Sequence, residues 1–295
     1  MCTDHDSRPP IAPISGAAID AGTEIIKGGG GADLRVFTAR PEQSTGAGIV
    51  ILPDVRGLHP FFEELASRFA ERGITAVALD YFCRTAGTEK QPEGFDYQPH
   101  LERISWDNVA GDIKASVAHL RAQSPAPRSA FVTGFCMGGR LASDATTLGL
   151  GLAGAIPFYG WPIGPHRSGS PAPADVAKQI ECDLLLIYGG ADQGITEKVR
   201  DEFDAALDKA GKRHDTVVYP GAPHSFFDRK ADEFKDASDD AWNRILAFVR
   251  RHTAGQPIAA AAPTPKAASA AQVGKAADPI DPRVEIFEDM ERKSD

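Results

Sequence analysis

Cys136 stands in a stretch whose residue types suit nucleophilic chemistry. The run TGFCMGGR, residues 133–140, places the cysteine two residues from Gly134 and two from Gly138, just after the apolar run AFV. Small neighbours on both sides suit a sharp strand-to-helix turn that lifts one side chain clear of a strained backbone. A helix beginning near Met137 would present its positive end to the sulfur and favour the reactive thiolate. The backbone N–H of Met137 would be free to donate to an oxyanion.

Two later residues could complete a catalytic triad with this cysteine. Asp192 lies in GGAD just after the apolar run DLLLIY, and His224 lies in PGAPHSF just after DTVVY. The order nucleophile, acid, histidine, each after a separate strand, is that of the α/β-hydrolase layout. The predicted chemistry is acyl transfer, in which the histidine activates the thiol and the aspartate orients the histidine.

Each of these residues also has a structural interpretation. A buried cysteine is usually a small apolar side chain, and a lone histidine is more often an ordinary loop residue. Asp192 could instead cap the helix that begins near Thr196, or bind a turn amide. Asp183 is a rival acid, but it opens a strand and would lie at the wrong end of the sheet. The glycine frame around Cys136 and the strand-end positions of Asp192 and His224 favour the catalytic interpretation.

Alternating strand and helix patterns supply the elements that would position the triad. Nearly continuous apolar runs are typical of strands covered on both faces, and helices between strands imply right-handed crossovers. We therefore predict an α/β fold of the α/β-hydrolase type, with a mostly parallel central sheet and helices on both faces. The predicted strands are 34–39, 47–52, 75–79, 129–133, 153–159, 183–188 and 215–219. The predicted helix faces carry Phe61, Phe62, Leu65 and Phe69; Val109, Ile113, Val117 and Leu120; Val199, Phe203 and Leu207; and Phe234, Ala241, Ile245, Phe248 and Val249.

Composition divides the chain into one domain and two tails. Residues 1–22 are rich in Pro, Ala, Gly and Asp without periodicity, which indicates a flexible N-terminal arm. Residues 23–252 carry the strand and helix patterns of the domain. Residues 253–295 are rich in Ala and Pro, with too little bulky apolar surface to offset their ordering entropy, and are predicted to be disordered. The final segment, PRVEIFEDMERKSD, could alternatively form a short docking helix through Val284, Phe287 and Met290.

Charge and cysteine usage exclude several classes of partner. The chain has 41 acidic and 32 basic residues, a formal charge of −9, and no cluster of Lys and Arg that would suit a nucleic acid. No run approaches the roughly eighteen apolar residues of a membrane span, and the acidic N-terminus does not resemble a signal peptide. We therefore expect a cytoplasmic protein without a membrane partner.

The spacing of the cysteines and histidines predicts neither disulfides nor a metal site. The four cysteines lie far apart in the sequence, which fits reduced thiols: Cys2, Cys83, Cys136 and Cys182. The eight histidines lack the spacing of metal ligands, so no metal is predicted.

GFCMGG, GGAD and PHSF, in that order, resemble the dienelactone hydrolase family of cysteine-dependent α/β hydrolases, also called carboxymethylenebutenolidases. The resemblance covers residues 23–251. The stretch LPDVRGLHPFFEELASRFAERG implies that Asp54 holds the resting thiol and that the Val55 N–H completes the oxyanion hole with that of Met137. The stretch LDYFCRTAG implies that Arg84 binds a substrate carboxylate. The implied reaction opens a small lactone or ester through a thioester, without a metal or organic cofactor.

The chain departs from this family at two positions. The best-known members carry glutamate where this chain has Asp54, and this shorter side chain could instead cap the following loop. Those members place a second substrate-binding arginine four residues after the histidine, where this chain has Asp228, and Arg229 is one position late. The loss of one of two carboxylate anchors leaves open whether a dienelactone is the substrate. Arg56 could substitute for that anchor, or it could be a solvated surface arginine.

Aromatic residues near the predicted site could shape an acyl pocket. Tyr159 and Trp161 flank the start of the Pro- and Gly-rich loop 160–175, which leaves a strand at the site end, and Phe82 and Trp106 could contribute. The alternative is that this loop is an ordinary surface excursion.

Three functions from different classes are compatible with the sequence. The first is a cysteine hydrolase of small lactones or esters. The second is a thioesterase or acyltransferase with the same triad, for which an acyl-CoA donor would need a basic channel. The third is a non-enzymatic scaffold whose tail recruits a partner, against which the intact triad argues. The sequence identifies neither the physiological substrate nor the oligomeric state.

Overall fold

The structure, a computed structural model, describes residues 7–228 and 230–254. The strands are β1 (Ile19–Lys27), β2 (Asp33–Pro41), β3 (Ala47–Leu52), β4 (Ile74–Leu79), β5 (Ser129–Phe135), β6 (Gly154–Phe158), β7 (Asp183–Gly189) and β8 (His214–Tyr219). The helices are α1 (Pro60–Ala70), α2 (Cys83–Ala86), α3 (Gln98–Leu101), α4 (Trp106–Arg121), α5 (Met137–Ala145), α6 (Glu197–Lys209) and α7 (Lys235–His252), with short 3₁₀ turns at Gly29–Gly31 and Ala177–Gln179. Cys2, Arg229 and the C-terminal segment from residue 255 onward lie outside the described residues.

The eight strands form one sheet in the order β1-β2-β4-β3-β5-β6-β7-β8. Strand β2 runs antiparallel to both of its neighbours, and the strands from β4 to β8 in this order pair in parallel. Strands β3, β4 and β5 are buried along their whole length, so both faces of the central sheet are covered. The predicted α/β-hydrolase architecture is confirmed, and each of the predicted apolar runs coincides with a strand, apart from run 153–159, which extends one residue beyond β6 at each end.

The apolar faces of the long helices cover this sheet. On α1, Phe61, Phe62, Leu65 and Phe69 are fully buried. The predicted faces of α4, α6 and α7 are buried in the same core, apart from Phe234, which precedes α7 and is partly buried. Burial of a large apolar side chain contributes about 1.5–3 kcal/mol, so these faces hold the helices against the strands.

Strand β1 was not predicted. It begins at Ile19, so residues 19–22 belong to a strand rather than to a flexible arm. It is an edge strand that pairs only with β2 among the described residues, and Ile25 is 49% exposed. Because such a strand buries little apolar surface, its sequence IDAGTEIIK lacks the continuous apolar run that identified the central strands.

The parallel strands bring the predicted site residues to one edge of the sheet. The carboxyl ends of parallel strands meet at the same edge, which is where ligands bind in open α/β sheets. Asp54 and Val55 follow β3, Arg84 follows β4, Cys136 follows β5, Tyr159 and Trp161 follow β6, Asp192 follows β7 and His224 follows β8.

Candidate active site

Cys136 forms the strained turn between β5 and α5. Its backbone has φ 55° and ψ −115°, a left-handed conformation that a non-glycine residue adopts only when its surroundings impose it. The Cys136 amide donates to the Phe158 carbonyl at 3.1 Å, and its carbonyl accepts from the amides of Gly139 and Arg140. These hydrogen bonds therefore fix the backbone position from which the half-buried Cys136 side chain projects, at the amino end of α5.

The glycines around Cys136 are required by close backbone contacts. A Cβ atom on Gly134 would lie 1.9 Å from the Gly138 carbonyl oxygen, and one on Gly138 would lie 2.1 Å from the Leu52 carbonyl oxygen. A Cβ on Gly139 would meet the Phe158 carbonyl oxygen at 2.2 Å. The turn therefore packs directly on the ends of strands β3 and β6, and no side chain fits there.

Asp192 and His224 are hydrogen-bonded, with His224 Nδ1 2.7 Å from Asp192 Oδ2. The other carboxylate oxygen, Oδ1, accepts from the amides of Gly194 and Ile195 at 2.9 and 3.0 Å. Asp192 therefore binds turn amides and a histidine at the same time, so the two sequence interpretations of this residue are compatible. Burial alone would raise the pKa of Asp192, but His224 and these two amides hold that pKa below its ordinary value. The carboxylate is ionised at neutral pH and orients the imidazole.

Asp183, the rival acid, lies at the opposite edge of the sheet. It opens β7 and forms ion pairs with Arg213 at 2.9 Å and His252 at 3.1 Å. Its carboxylate is engaged with those groups and is remote from the carboxyl ends of the strands.

Tyr159 packs beside His224. Its ring centroid lies 4.8 Å from that of His224, and its hydroxyl donates to Asp228 Oδ2 at 3.2 Å. Burial, Asp228 and the neighbouring Cys136 thiol raise the pKa of Tyr159 well above its ordinary value, so the phenol stays protonated. Among the described residues, the non-glycine positions with positive φ are Cys136, Tyr159 and Ser225, and all three lie at this site. Such clustering of strained backbone is typical of functional sites.

The two predicted oxyanion donors remain available. Within the described part of the chain, neither the Val55 amide nor the Met137 amide donates a hydrogen bond. Met137 is the first residue of α5, where backbone N–H groups have no acceptor within the helix. Both amides follow carboxyl ends of adjacent strands, β3 and β5.

Asp54 is buried and engaged with its own loop. Its Oδ1 accepts from the Arg56 amide at 2.9 Å and lies 3.7 Å from His59 Nε2, while Oδ2 lies 3.6 Å from Arg56. Burial alone would raise the pKa of Asp54, but His59 and Arg56 lower it below its ordinary value. These contacts favour the loop-capping interpretation. They also place Arg56 against a buried carboxylate, with only 10% of its side chain exposed, rather than on a solvated surface.

Tyr81 connects this loop to the thiol. Its hydroxyl donates to the Pro53 carbonyl at 3.0 Å, and burial together with Asp54, Asp80 and Cys136 raises its pKa well above the ordinary value. The Pro53 carbonyl oxygen also lies against the Cys136 turn, since a Cβ on Gly138 would be 2.3 Å from it. The sequence interpretation did not include Tyr81, although its position directly after β4 is the signal that could have identified it.

Arg84, the predicted carboxylate anchor, is paired within the protein. It forms a two-pronged ion pair with Asp112 on α4, with NH2 to Oδ1 at 2.8 Å and NH1 to Oδ2, and it also donates to the Gly29 carbonyl at 2.6 Å. Arg84 lines a cleft together with Tyr81, His100, Arg103, Ile104 and Asp112. The sequence interpretation missed Asp112, which lies 28 residues from its partner.

Arg140 fixes loop 160–175 through hydrogen bonds to its backbone. This buried guanidinium donates to carbonyls of Trp161, Ile163, Gly164, Ser170 and Pro171 at 2.9–3.3 Å. Trp161 is partly buried and packs against the core. The loop is therefore a fixed part of the fold and not an ordinary surface excursion. Arg140 is the last residue of TGFCMGGR, and a charged side chain directly after the small residues of this turn is the signal that could have identified it.

The chain has a mostly parallel sheet, a strained strand-to-helix turn at Cys136 after β5, and an acid and a histidine after β7 and β8, which is the layout of an α/β hydrolase. The Dienelactone hydrolase family model matches residues 34–253, and the chain belongs to this family.

The relatives of this chain agree with that family. A Salmonella typhimurium protein named "Putative carboxymethylenebutenolidase" is 27% identical over 270 residues, which cover 85% of this chain and 98% of the relative. A Saccharolobus solfataricus protein of the same name is 27% identical over 265 residues, covering 77% of this chain and 98% of the relative. The crystal structure of a Klebsiella pneumoniae protein described as a "Putative Dienelactone Hydrolase" superposes with a TM-score of 0.70 at 25% identity, covering 79% of this chain and 98% of that chain.

The described residues lack two features that would point to other kinds of protein. No helix there is long and apolar enough to cross a membrane. The same residues contain no group of three or more His, Cys, Asp and Glu side chains that could hold a metal ion.

Proposed function

We propose that this protein is a cysteine-dependent hydrolase of small lactones or carboxylic esters. Cys136 is the nucleophile, His224 the general base and acid, and Asp192 the residue that orients the histidine. The observation that carries the proposal is the 2.7 Å hydrogen bond between His224 and Asp192, at the sheet edge where the strained Cys136 turn stands. Membership of the dienelactone hydrolase family supports the same reaction class.

The reaction proceeds in two steps through a thioester. His224 Nε2 takes the proton of the Cys136 thiol, and the thiolate attacks the carbonyl carbon of the ester or lactone. The carbon–oxygen bond of the leaving group breaks, and the departing oxygen takes the proton back from the imidazolium. A water molecule then gives its proton to His224 and attacks the thioester, and the thiol is released in its protonated form.

Backbone N–H groups stabilise the two anions of this reaction, the Cys136 thiolate and the oxyanion formed from the substrate carbonyl. The amino end of α5 faces the Cys136 sulfur and favours the thiolate. The Val55 and Met137 amides, which have no acceptor among the described residues, can donate to the oxyanion. Each donor of this kind typically contributes on the order of a hundredfold to a thousandfold in rate.

The first test is hydrolysis of p-nitrophenyl acetate and of a dienelactone by the full chain, with intact mass recorded during turnover. The wild-type protein should gain the mass of the acyl group, whereas Cys136→Ala should lose both this mass gain and the activity. Cys136→Ser separates loss of the thiol from loss of any nucleophile.

Cys182→Ala is the matched control. Burial, with Asp183 and Glu181 nearby, raises the pKa of Cys182 to about 12, so this thiol does not ionise at neutral pH. Its replacement should leave the acyl adduct and the rate unchanged. Equal activity of wild type and Cys136→Ala would refute the proposal, and faster turnover of an acyl-CoA than of any ester or lactone would favour a thioesterase.

A further inference from the structure

The cleft next to the nucleophile contains an arginine whose charge is already neutralised. Tyr81 joins the cleft to the site, because it lines the cleft with Arg84 while its hydroxyl donates at 3.0 Å to the Pro53 carbonyl, whose oxygen packs against Gly138 in the Cys136 turn. The cleft is thus a place for the part of an acyl substrate beyond the carbonyl group. What this part can be depends on the charges in the cleft wall.

Three of the five N–H groups of the Arg84 guanidinium are occupied by protein acceptors. Asp112 takes two of them through both carboxylate oxygens, and the Gly29 carbonyl takes a third. The Asp112 side chain is 1% exposed and that of Arg84 is 19% exposed. A two-pronged arginine–carboxylate pair of this kind is among the strongest hydrogen-bonded ion pairs in proteins.

The surrounding backbone locks Asp112 in place. Its Oδ1 also accepts from the Gly29 amide at 2.8 Å. A Cβ on Gly28 would lie 2.3 Å from Asp112 Oδ1, and a Cβ on Gly111 would lie 2.5 Å from the Gly29 Cα. The glycine-rich turn 28–31 therefore closes over the carboxylate, and a ligand cannot displace Asp112 without moving this turn.

We propose that Asp112 makes this protein selective for uncharged lactones and esters, because it already occupies the Arg84 guanidinium that would otherwise bind an acyl carboxylate. Arg84 is then a structural residue that ties α2 to α4 and to turn 28–31. Arg103 also lines the cleft, but it is exposed, and ion pairs in water contribute little. This proposal rests on the proposed esterase function and deepens it by naming a substrate class.

The test compares two esters that differ only at the far end of the acyl chain. p-Nitrophenyl pentanoate ends in a methyl group, and the mono-p-nitrophenyl ester of glutaric acid ends in a carboxylate. Wild type should prefer the pentanoate by about tenfold or more in kcat/KM, since the carboxylate loses hydration and gains only the exposed Arg103 as a cation. Asp112→Asn keeps an acceptor for the Gly29 amide but removes the charge, and should shift the preference toward the carboxylate ester by about tenfold or more.

Two further variants keep the test decisive. Asp183→Asn removes an ion-paired aspartate at the opposite edge of the sheet and should leave the ratio of the two kcat/KM values unchanged. If Asp112→Asn does not fold, Arg84→Gln decides the question, because the ratio should then stay within about twofold of wild type.

Two results would overturn the proposal. One is a wild type that prefers the carboxylate ester and loses this preference in Arg84→Gln. The other is a folded Asp112→Asn whose ratio equals that of wild type. Failure of the proposed function looks different, since neither ester would then show turnover that depends on Cys136.

Discussion

His224 and Asp192 lie 32 residues apart in sequence, yet Nδ1 of the imidazole is 2.7 Å from Oδ2 of the carboxylate. The remaining oxygen of Asp192 is fixed by the amides of Gly194 and Ile195, so the acid cannot rotate away from its histidine. The pair is positioned by two neighbouring parallel strands, β7 and β8, which end at the same edge.

Asp192→Asn should lower kcat by about a hundredfold to ten-thousandfold, with a much smaller change in KM. The amide nitrogen of asparagine would face His224 Nδ1 as a donor, which favours the wrong tautomer of the ring. Steady-state kinetics with p-nitrophenyl acetate measure this effect. Asp183→Asn, the same substitution at the other end of β7, should leave kcat at the wild-type value. A kcat for Asp192→Asn within about threefold of wild type would exclude this role for the acid.

The positions of several site residues were predictable because the end of a buried strand can be recognised from the few residues around it. DLLLIY followed by GGAD and DTVVY followed by PHSF each combine a buried strand with a polar residue just beyond it. Once the sheet is parallel, such residues must share an edge. Asp192 and His224 were therefore predictable together, without any knowledge of how the loops between them run.

Side-chain pairings across the fold were not predictable in this way. The stretch LDYFCRTAG does not indicate that Arg84 forms an ion pair with Asp112. This ion pair depends on how α4 packs over the turn 28–31. Strand β1 was missed for a related reason. Its exposed position at the sheet edge leaves no continuous apolar run to recognise.

Gly138→Ala should destabilise the fold by about 1–3 kcal/mol or more, because the new methyl group would overlap the Leu52 and Pro53 carbonyl oxygens at 2.1 and 2.3 Å. Because these oxygens belong to the backbone, they can move only if the end of β3 moves. Chemical denaturation measures the change in the free energy of unfolding. Gly22→Ala is the control, since a Cβ there has no heavy atom within 4 Å. An equal effect of the two substitutions would contradict the role given to this contact.

Asp144 should make stability fall as pH rises from about 4 to about 7. Burial raises the pKa of Asp144 to about 7, although the Arg140 guanidinium lies 3.9 Å away and opposes the shift. Between pH of about 4 and 7 the folded state therefore binds more protons at this position than the unfolded state does, and the contribution of Asp144 to stability decreases. Asp144→Asn removes the ionisable carboxyl group. The Tm of this variant minus that of wild type should therefore rise between about pH 5 and pH 8, and the matching change in the free energy of unfolding is on the order of 1–3 kcal/mol.

Thermal unfolding of both proteins over this pH range checks the sign. A difference in Tm that stays constant over this range would mean that folding does not raise the pKa of Asp144, and would contradict the prediction.

Arg140→Lys should loosen loop 160–175, which carries Trp161, a residue predicted to line the acyl pocket. The guanidinium reaches carbonyls from Trp161 to Pro171 in several directions at once, and a single ammonium group cannot reproduce this fork. Lysine keeps the positive charge beside Asp144, so the loss of hydrogen bonds is separated from the loss of charge. We expect a loss of about 2–4 kcal/mol in stability, faster proteolytic cleavage within the loop, and a larger effect on KM than on kcat.

Arg121→Lys is the matched control for Arg140→Lys. Arg121 also donates to loop carbonyls, those of Leu150 and Gly151, but on the exposed surface. Equal cleavage of the two variants within 160–175 would show that the loop holds its shape without the buried arginine.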